Sequence, residues 1–366
     1  MRVQTLIQKT LITHRDPPYH CYGAPGVVVT ASGAIIAYFE TRISAAERGA
    51  RGVGMLRSED EGETWSPMGT IASTDGDETV GSPVMIASES GDVHFLYVQD
   101  YARAFYRKSA DDGQLFGAPV EITSCVERFR AEADLAWTQW ALGPGHGIEL
   151  GDGRLYVPLW AGRKAGGAVT SAIVSSDLGK SWHLAEVIEP EDRINSVGEA
   201  CAVQLDDGSV MMNMRNTIDP GMSRYRAVSV SRNGETGFSA PRCDLSLPDP
   251  GCHAGMARLG NPALPRGSGI LFVNCNNRPC EVNGYQHGRI HLTMRLSVDH
   301  GKTWKYSRWM ENSAGYSDVA TSPGGQWIYC FYEHGRRIHS SPDDIVVKRL
   351  TFAKGNLEWL TDGELE

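Results

Sequence analysis

Short apolar runs bounded by turn residues recur along the whole chain. Pro25-Gly-Val-Val-Val-Thr30, Ala34-Ile-Ile-Ala-Tyr-Phe39, Val93-His-Phe-Leu-Tyr-Val98, Gly153-Arg-Leu-Tyr-Val-Pro158, Val210-Met-Met-Asn-Met214 and Trp327-Ile-Tyr-Cys-Phe-Tyr332 are the clearest. Their length, β-branched and aromatic content and flanking Gly, Asp and Ser residues predict β-strands. No stretch carries the 3.6-residue apolar period of a long amphipathic helix. The pattern therefore predicts an all-β chain, with a further strand at the N-terminus around Val3 to Ile12.

Between the strands an eight-residue polar unit repeats. Ser58-Glu-Asp60-Glu-Gly62-Glu-Thr64-Trp65, Ser175-Ser-Asp177-Leu-Gly179-Lys-Ser181-Trp182 and Ser297-Val-Asp299-His-Gly301-Lys-Thr303-Trp304 share the pattern Ser-x-Asp-x-Gly-x-(Ser/Thr)-Trp. Two worn copies begin at Ser109 and Ser231 and end in Phe116 and Phe238. The residue types are those of a hairpin turn. Asp accepts hydrogen bonds from nearby amides, Gly takes a positive φ, and Trp anchors the turn on the sheet. The five copies start at 58, 109, 175, 231 and 297, about 60 residues apart, so the chain holds about six units. That period in an all-β chain predicts a six-bladed β-propeller with four strands per blade. The N-terminal strand is expected to complete the last blade, which removes an exposed sheet edge. Residues 1–366 then form one domain.

Composition narrows the function classes. The chain has 41 Gly and 18 Pro in 366 residues, as many tight turns require. Its net charge of −9 disfavours general nucleic-acid binding, which needs a basic stripe. No apolar run is long enough to span a membrane as a helix, and the start, Met1-Arg-Val-Gln-Thr-Leu, lacks the features of a secretory signal. A cytoplasmic location is the expectation. The eight Cys then read as reduced, mostly buried thiols, because their spacing fits no zinc or redox motif.

The repeat resembles the Asp-box of the sialidase (neuraminidase) superfamily, and further stretches resemble that family in the same order along the chain. Asn213-Met-Arg215-Asn216 is similar to the strand bearing the family's second arginine, with Gly198-Glu199 upstream where its tyrosine-activating glutamate stands. Gly288-Arg289 opens a strand that runs into the third box, as the family's third arginine does. Ala314-Gly315-Tyr316-Ser317-Asp318 resembles the nucleophile motif, and Phe331-Tyr332-Glu333 the late Tyr-Glu. Gly143-Pro144-Gly145-His146-Gly147 is a further similar segment. The resemblance implies a glycosidase with Tyr316 as nucleophile, Glu199 as its base, and Arg215 and Arg289 holding the substrate carboxylate. A phenol suits this task because a carboxylate nucleophile would be repelled by an acidic sugar, and a planar guanidinium matches a carboxylate bidentately.

Two departures stand out. The family's first arginine lies in an aromatic-Arg-Ile-Pro motif, and the matching stretch here is Tyr22-Gly23-Ala24-Pro25. One strand later Phe39-Glu40-Thr41-Arg42 does match, so Glu40 and Arg42 are expected to bind substrate. Arg42, Arg48, Arg51, His20 and Arg15 are the cations within reach of the vacated place. The loop that carries the family's acid/base aspartate reads Ser44-Ala-Ala-Glu47-Arg48-Gly-Ala-Arg51, with no Asp. Glu47 stands nearest to the expected position, and Glu333 is the second candidate for the general acid. Plain readings stay open: Glu47 as a solvated loop acid, Glu333 paired to Arg336 or Arg337, His146 as a structural or a pocket histidine. Trp137 and Trp140 fit a sugar-stacking platform or the core.

The preferred function is hydrolysis of a terminal acidic sugar, sialic acid or a related nonulosonic acid, with no metal or organic cofactor. The partner is an acidic glycan, with no nucleic acid and no membrane. Two other classes remain: a glycosidase or lyase for a uronic-acid-type sugar, and a carbohydrate-binding propeller without catalysis.

Overall fold

The computed structural model describes residues 4–14, 16–44, 47–131, 137–164, 166–190, 194, 196–216, 225–277, 280–282, 285–287, 289–337 and 345–365. Most of its described strands pair antiparallel in groups of four. The first blade is Cys21–Val29, Ile35–Arg42, Ala50–Ser58 and Gly69–Ser73. Val80–Ala87, Val93–Gln99, Arg103–Ser109 and Val120–Glu121 form the second. Trp137–Leu142, Leu155–Arg163, Ala168–Ser175 and His183–Leu184 form the third, and Val197–Gln204, Val210–Asn216, Tyr225–Ser231 and Arg242–Pro248 the fourth. The fifth joins Gly255–Gly260, Ser268–Cys275 and Ile290–Ser297 to the start of the long strand Tyr306–Thr321. The end of that strand opens the sixth, followed by Ile328–Arg337 and Ile345–Gly355. The sixth group closes as the sequence predicts, on an N-terminal strand, Leu6–Thr13, paired with Ile345–Gly355. Val3 lies outside the described residues.

Apolar side chains pack between neighbouring blades. Trp140, Leu159 and Ile173 of the third blade share a cluster with Leu96 and Tyr106 of the second. Trp137 and Trp140 are both buried in it, so they belong to the core. In the full boxes the Asp clamps the turn. Asp60 accepts from the Thr64 amide at 2.8 Å and from its hydroxyl at 2.6 Å, and Ser58 Oγ accepts from the Gly62 amide at 2.9 Å. The box glycines also fit blade to blade. Gly62 has φ +89 and a Cβ there would strike Phe352 of the sixth blade; Gly179 has φ +88 and faces Tyr106 of the second. Trp65 stacks edge-on against Phe352 at 4.9 Å, and Trp182 against Tyr106 at 5.7 Å. The repeat thus ties each turn to the preceding blade.

No helix among the described residues is long and apolar enough to cross a membrane. The described cysteine side chains, Cys21, Cys125, Cys201, Cys243, Cys252, Cys275 and Cys330, are free thiols.

Candidate active site

Most of the innermost strands are interrupted by a bulge at one end of the propeller. The register slips between Gly23 and Gly26, between Gly81 and Val84, between Trp137 and Gln139, between Val197 and Ala200, and between Ala314 and Ser317. A bulge leaves backbone groups out of the ladder and re-aims the side chains beside it. Gly23, Ala24, Ser82, Gln139, Gly198, Glu199, Gly315 and Tyr316 lie on these bulges, and all line one cavity of about 460 Å³. Ala24 and Ser82 hold φ of 47° and 51°, conformations that L-residues rarely adopt and that cluster at functional sites.

On the wall formed by the fourth, fifth and sixth blades the functional side chains touch. The Tyr316 hydroxyl donates to Glu199 Oε1 in a short hydrogen bond. Arg215 Nη1 donates to Glu199 Oε2 at 2.7 Å and to the Tyr316 oxygen at 3.0 Å. The Arg215 Nε is buried with no hydrogen-bond partner among the described residues. The Arg289 guanidinium lies 4.9 Å from the Tyr316 ring centroid and donates to the Gly251 carbonyl at 3.2 Å. Burial, with the Glu199 charge beside it, drives the Tyr316 phenol well above its ordinary range. Burial also pushes against ionisation of Glu199, but the Arg215 charge and the hydrogen bonds from Tyr316 and Arg215 outweigh it and hold the carboxyl below its ordinary value. The resting pair is therefore a neutral phenol donating to a carboxylate.

Bulge amides orient the other acids. Glu333 Oε2 accepts from the Tyr316 amide at 3.0 Å and Oε1 from the Ala24 amide at 3.2 Å. Glu40 Oε1 accepts from the Ser82 amide at 2.7 Å, and its Oε2 from Arg42 Nε at 2.8 Å. Gly315 is required beside the tyrosine, because a Cβ there would collide with Glu333 Oε2.

Arg42 lines the cavity together with Gly23, Glu40 and Glu333. Of the other cations near the vacated arginine position, Arg48 lies over the Tyr101 ring at 5.9 Å and Arg51 donates to the Arg48 carbonyl at 2.8 Å. His20 packs edge-on against His14, and Arg15 lies outside the described residues. Glu47 begins a short 3-10 turn, Glu47–Gly49, and its side chain lies outside the described residues. The side chains of Arg336 and Arg337 do too.

His146 is not among the residues lining the cavity; its Nδ1 donates to Asp318 Oδ1 at 2.8 Å. Asp318 also accepts from the Val27 amide at 3.0 Å, which joins the first and sixth blades. Sequence reasoning passed over several residues that do line the cavity: Trp160, Tyr101, Gln139 and Ser82. It also passed over His253, buried with its ring 5.7 Å from that of Tyr316. Burial pushes the His253 imidazole down to about 4, so it stays neutral between Glu199 and Asp318. The one signal for His253 was its setting, Pro250-Gly-Cys-His253-Ala-Gly255, a polar ring among small residues at a strand start.

Residues 33–330 match the BNR repeat-like domain family. A sialidase of Micromonospora viridifaciens is 26% identical over 374 residues, covering 93% of this chain and 52% of that protein. A sialidase of Bacteroides fragilis (strain YCH46) is 26% identical over 315 residues, covering 76% of this chain and 53% of that protein. The chain spans about half the length of these two curated relatives. Among solved structures, Hadza microbial sialidase Hz136 aligns with a TM-score of 0.74 at 25% identity, over 93% of this chain and 67% of that one. With its box turns, its bulged inner strands and a family match over most of its length, the chain belongs to the BNR repeat-like domain family, as a β-propeller of the sialidase-like superfamily.

Proposed function

We propose that the protein is a retaining glycoside hydrolase of the exo-sialidase type, acting on a terminal sugar that carries a carboxylate, sialic acid or a related nonulosonic acid. The observation that supports this best is the contact of the Tyr316 hydroxyl with Glu199, bridged by Arg215. Arg215 and Arg289 face the substrate carboxylate, and Arg42 and Glu40 line the same cavity. The Tyr316 oxygen attacks the anomeric carbon while its proton passes to Glu199, and the bond to the aglycone breaks. The leaving oxygen takes a proton from Glu47. We assign that step to Glu47 and not to Glu333, because both Glu333 oxygens accept backbone amides. Water then attacks the glycosyl–tyrosine bond, giving a proton to Glu47, and Glu199 returns its proton to the phenolate. Removing one proton from a buried phenol is costly, and the two guanidiniums beside it offset that cost as charge develops. His146, bonded to Asp318, supports the cavity floor in this reading.

The test is turnover of a fluorogenic sialoside and of other acidic glycosides, with Tyr316→Phe as control. Retained configuration and a loss of at least about 10³-fold in the variant are expected. Unchanged turnover in Tyr316→Phe overturns the nucleophile assignment. Glu47→Gln is expected to lose far more rate on substrates with poor leaving groups than on activated aryl glycosides. An equal loss on both sets would remove Glu47 from the acid role.

A further inference from the structure

The first blade has a glycine where the family pattern sets an arginine, and the space beside it is taken. A Cβ on Gly23 would stand 3.1 Å from Glu333 Oε1, and 3.5 and 3.6 Å from Cζ and Nε of Arg42. A long side chain at position 23 would therefore grow into the Arg42 guanidinium. Glu333 cannot yield, since backbone amides of two blades hold its oxygens. A longer side chain at 23 would thus have Glu333 and Arg42 as its immediate neighbours.

Arg42 is also placed like a clamp residue. It lines the same cavity as Arg215 and Arg289. Its Nε and Nη2 bind Glu40, while Nη1 has no hydrogen-bond partner among the described residues. Glu40 is itself fixed by the Ser82 amide at 2.7 Å and by the tight fit of Gly81 against it. The guanidinium is thus held by a partner that cannot swing away, as a preorganised binding group requires. Its charge is stabilised by Glu40 and Glu333 against the cost of burial.

We propose that Arg42 has taken over the role of the absent arginine and is the third guanidinium gripping the substrate carboxylate, reaching it from the second strand of the first blade. This rests on the reading of the cavity as an acidic-sugar site. It makes Arg42 a specificity-determining residue for sugars with a carboxylate on the anomeric carbon, and it makes the glycine at 23 a condition for that role.

The experiment compares a fluorogenic ketoside of N-acetylneuraminic acid with its carboxyl methyl ester. Wild-type protein is expected to prefer the acid over the ester in kcat/KM. Arg42→Ala should lose at least tenfold on the acid and less than threefold on the ester, so that the preference collapses. Arg42→Lys, which keeps the charge without the planar fork, should retain part of it. The exchange variant Gly23→Arg/Arg42→Ala should regain at least a third of the wild-type preference, whereas Gly23→Arg alone should not bind. A purely structural Arg42 would lower both substrates together, and that result overturns the proposal. So does an acid preference within twofold of wild type in Arg42→Ala. If Arg42→Ala does not fold, judged by its thermal melt, the lysine and exchange variants decide the question by the same ratio. Should wild-type protein show no acid preference, the underlying reading fails with it. If Arg215→Ala abolishes the preference and Arg42→Ala does not, this inference alone fails.

Discussion

On the wall supplied by the fourth, fifth and sixth blades, Glu199, Arg215 and Tyr316 are bonded directly to one another, with the Arg289 guanidinium over the tyrosine ring. Where the sixth, first and second blades meet, the acids are instead held by backbone: Glu333 by the Ala24 and Tyr316 amides, Glu40 by Ser82, with Arg42 beside them. Both walls face the same problem, since carboxylates in a cleft must be compensated. The first solves it with side chains in reciprocal contact. The second solves it with amides that bulges set free. A wall built on mutual side-chain contacts is tied to its residue types. A wall held by backbone tolerates exchange of a side chain, and there Gly23 stands beside Glu333 and Arg42.

The largest effect that can break this comparison is on the first of these walls. Glu199→Gln removes the proton acceptor and leaves Arg215 without its carboxylate, so kcat should fall about 10²–10⁴-fold in steady-state assays. A loss under tenfold would mean that the contact with Tyr316 is only structural. Next, Arg289→Ala should cost about 2–3 kcal/mol in kcat/KM, the worth of hydrogen bonds to a charged group, with folding unaffected by circular dichroism.

Stability separates the two glycines beside Glu333. Gly315→Ala drives a methyl into Glu333 and should destabilise by about 1–3 kcal/mol. Gly23→Ala brings its methyl no nearer than 3.1 Å and should cost under about 1 kcal/mol in denaturant melts. The reverse order would show Glu333 to be held more rigidly on its Gly23 side. The smallest effect is on pH. The proposed mechanism requires ionised Glu199, and its carboxyl is held below the ordinary 4.5, so kcat/KM should stay level down to about that pH and fall below it. An acid limb already present near pH 6 would point to a different titrating group.

The candidate site was only partly legible before folding. Glu199, Arg215, Arg289 and Tyr316 stand in short motifs whose order could be read along the chain, and they all line one cavity. Arg42 was legible as a substrate residue in Phe39-Glu40-Thr41-Arg42, but for the vacated arginine place it stood among five cations that sequence distance could not rank. Trp160 was passed over in favour of Trp137 and Trp140, because the three differ in which face of a strand they occupy and not in type. His146 stood between glycines as a pocket residue or a structural one, and its bond to Asp318 spans 172 positions.

By itself the sequence determined the turns and the strands, because Asp, Gly and Trp act within eight residues and short apolar runs act within one strand. Which amides would be left unpaired, which carboxylates they would catch, and which guanidinium would stand beside Gly23 were decided only in three dimensions. A bulge depends on how each inner strand meets its neighbours around the axis, and that is a property of the closed ring of sheets, not of any one segment.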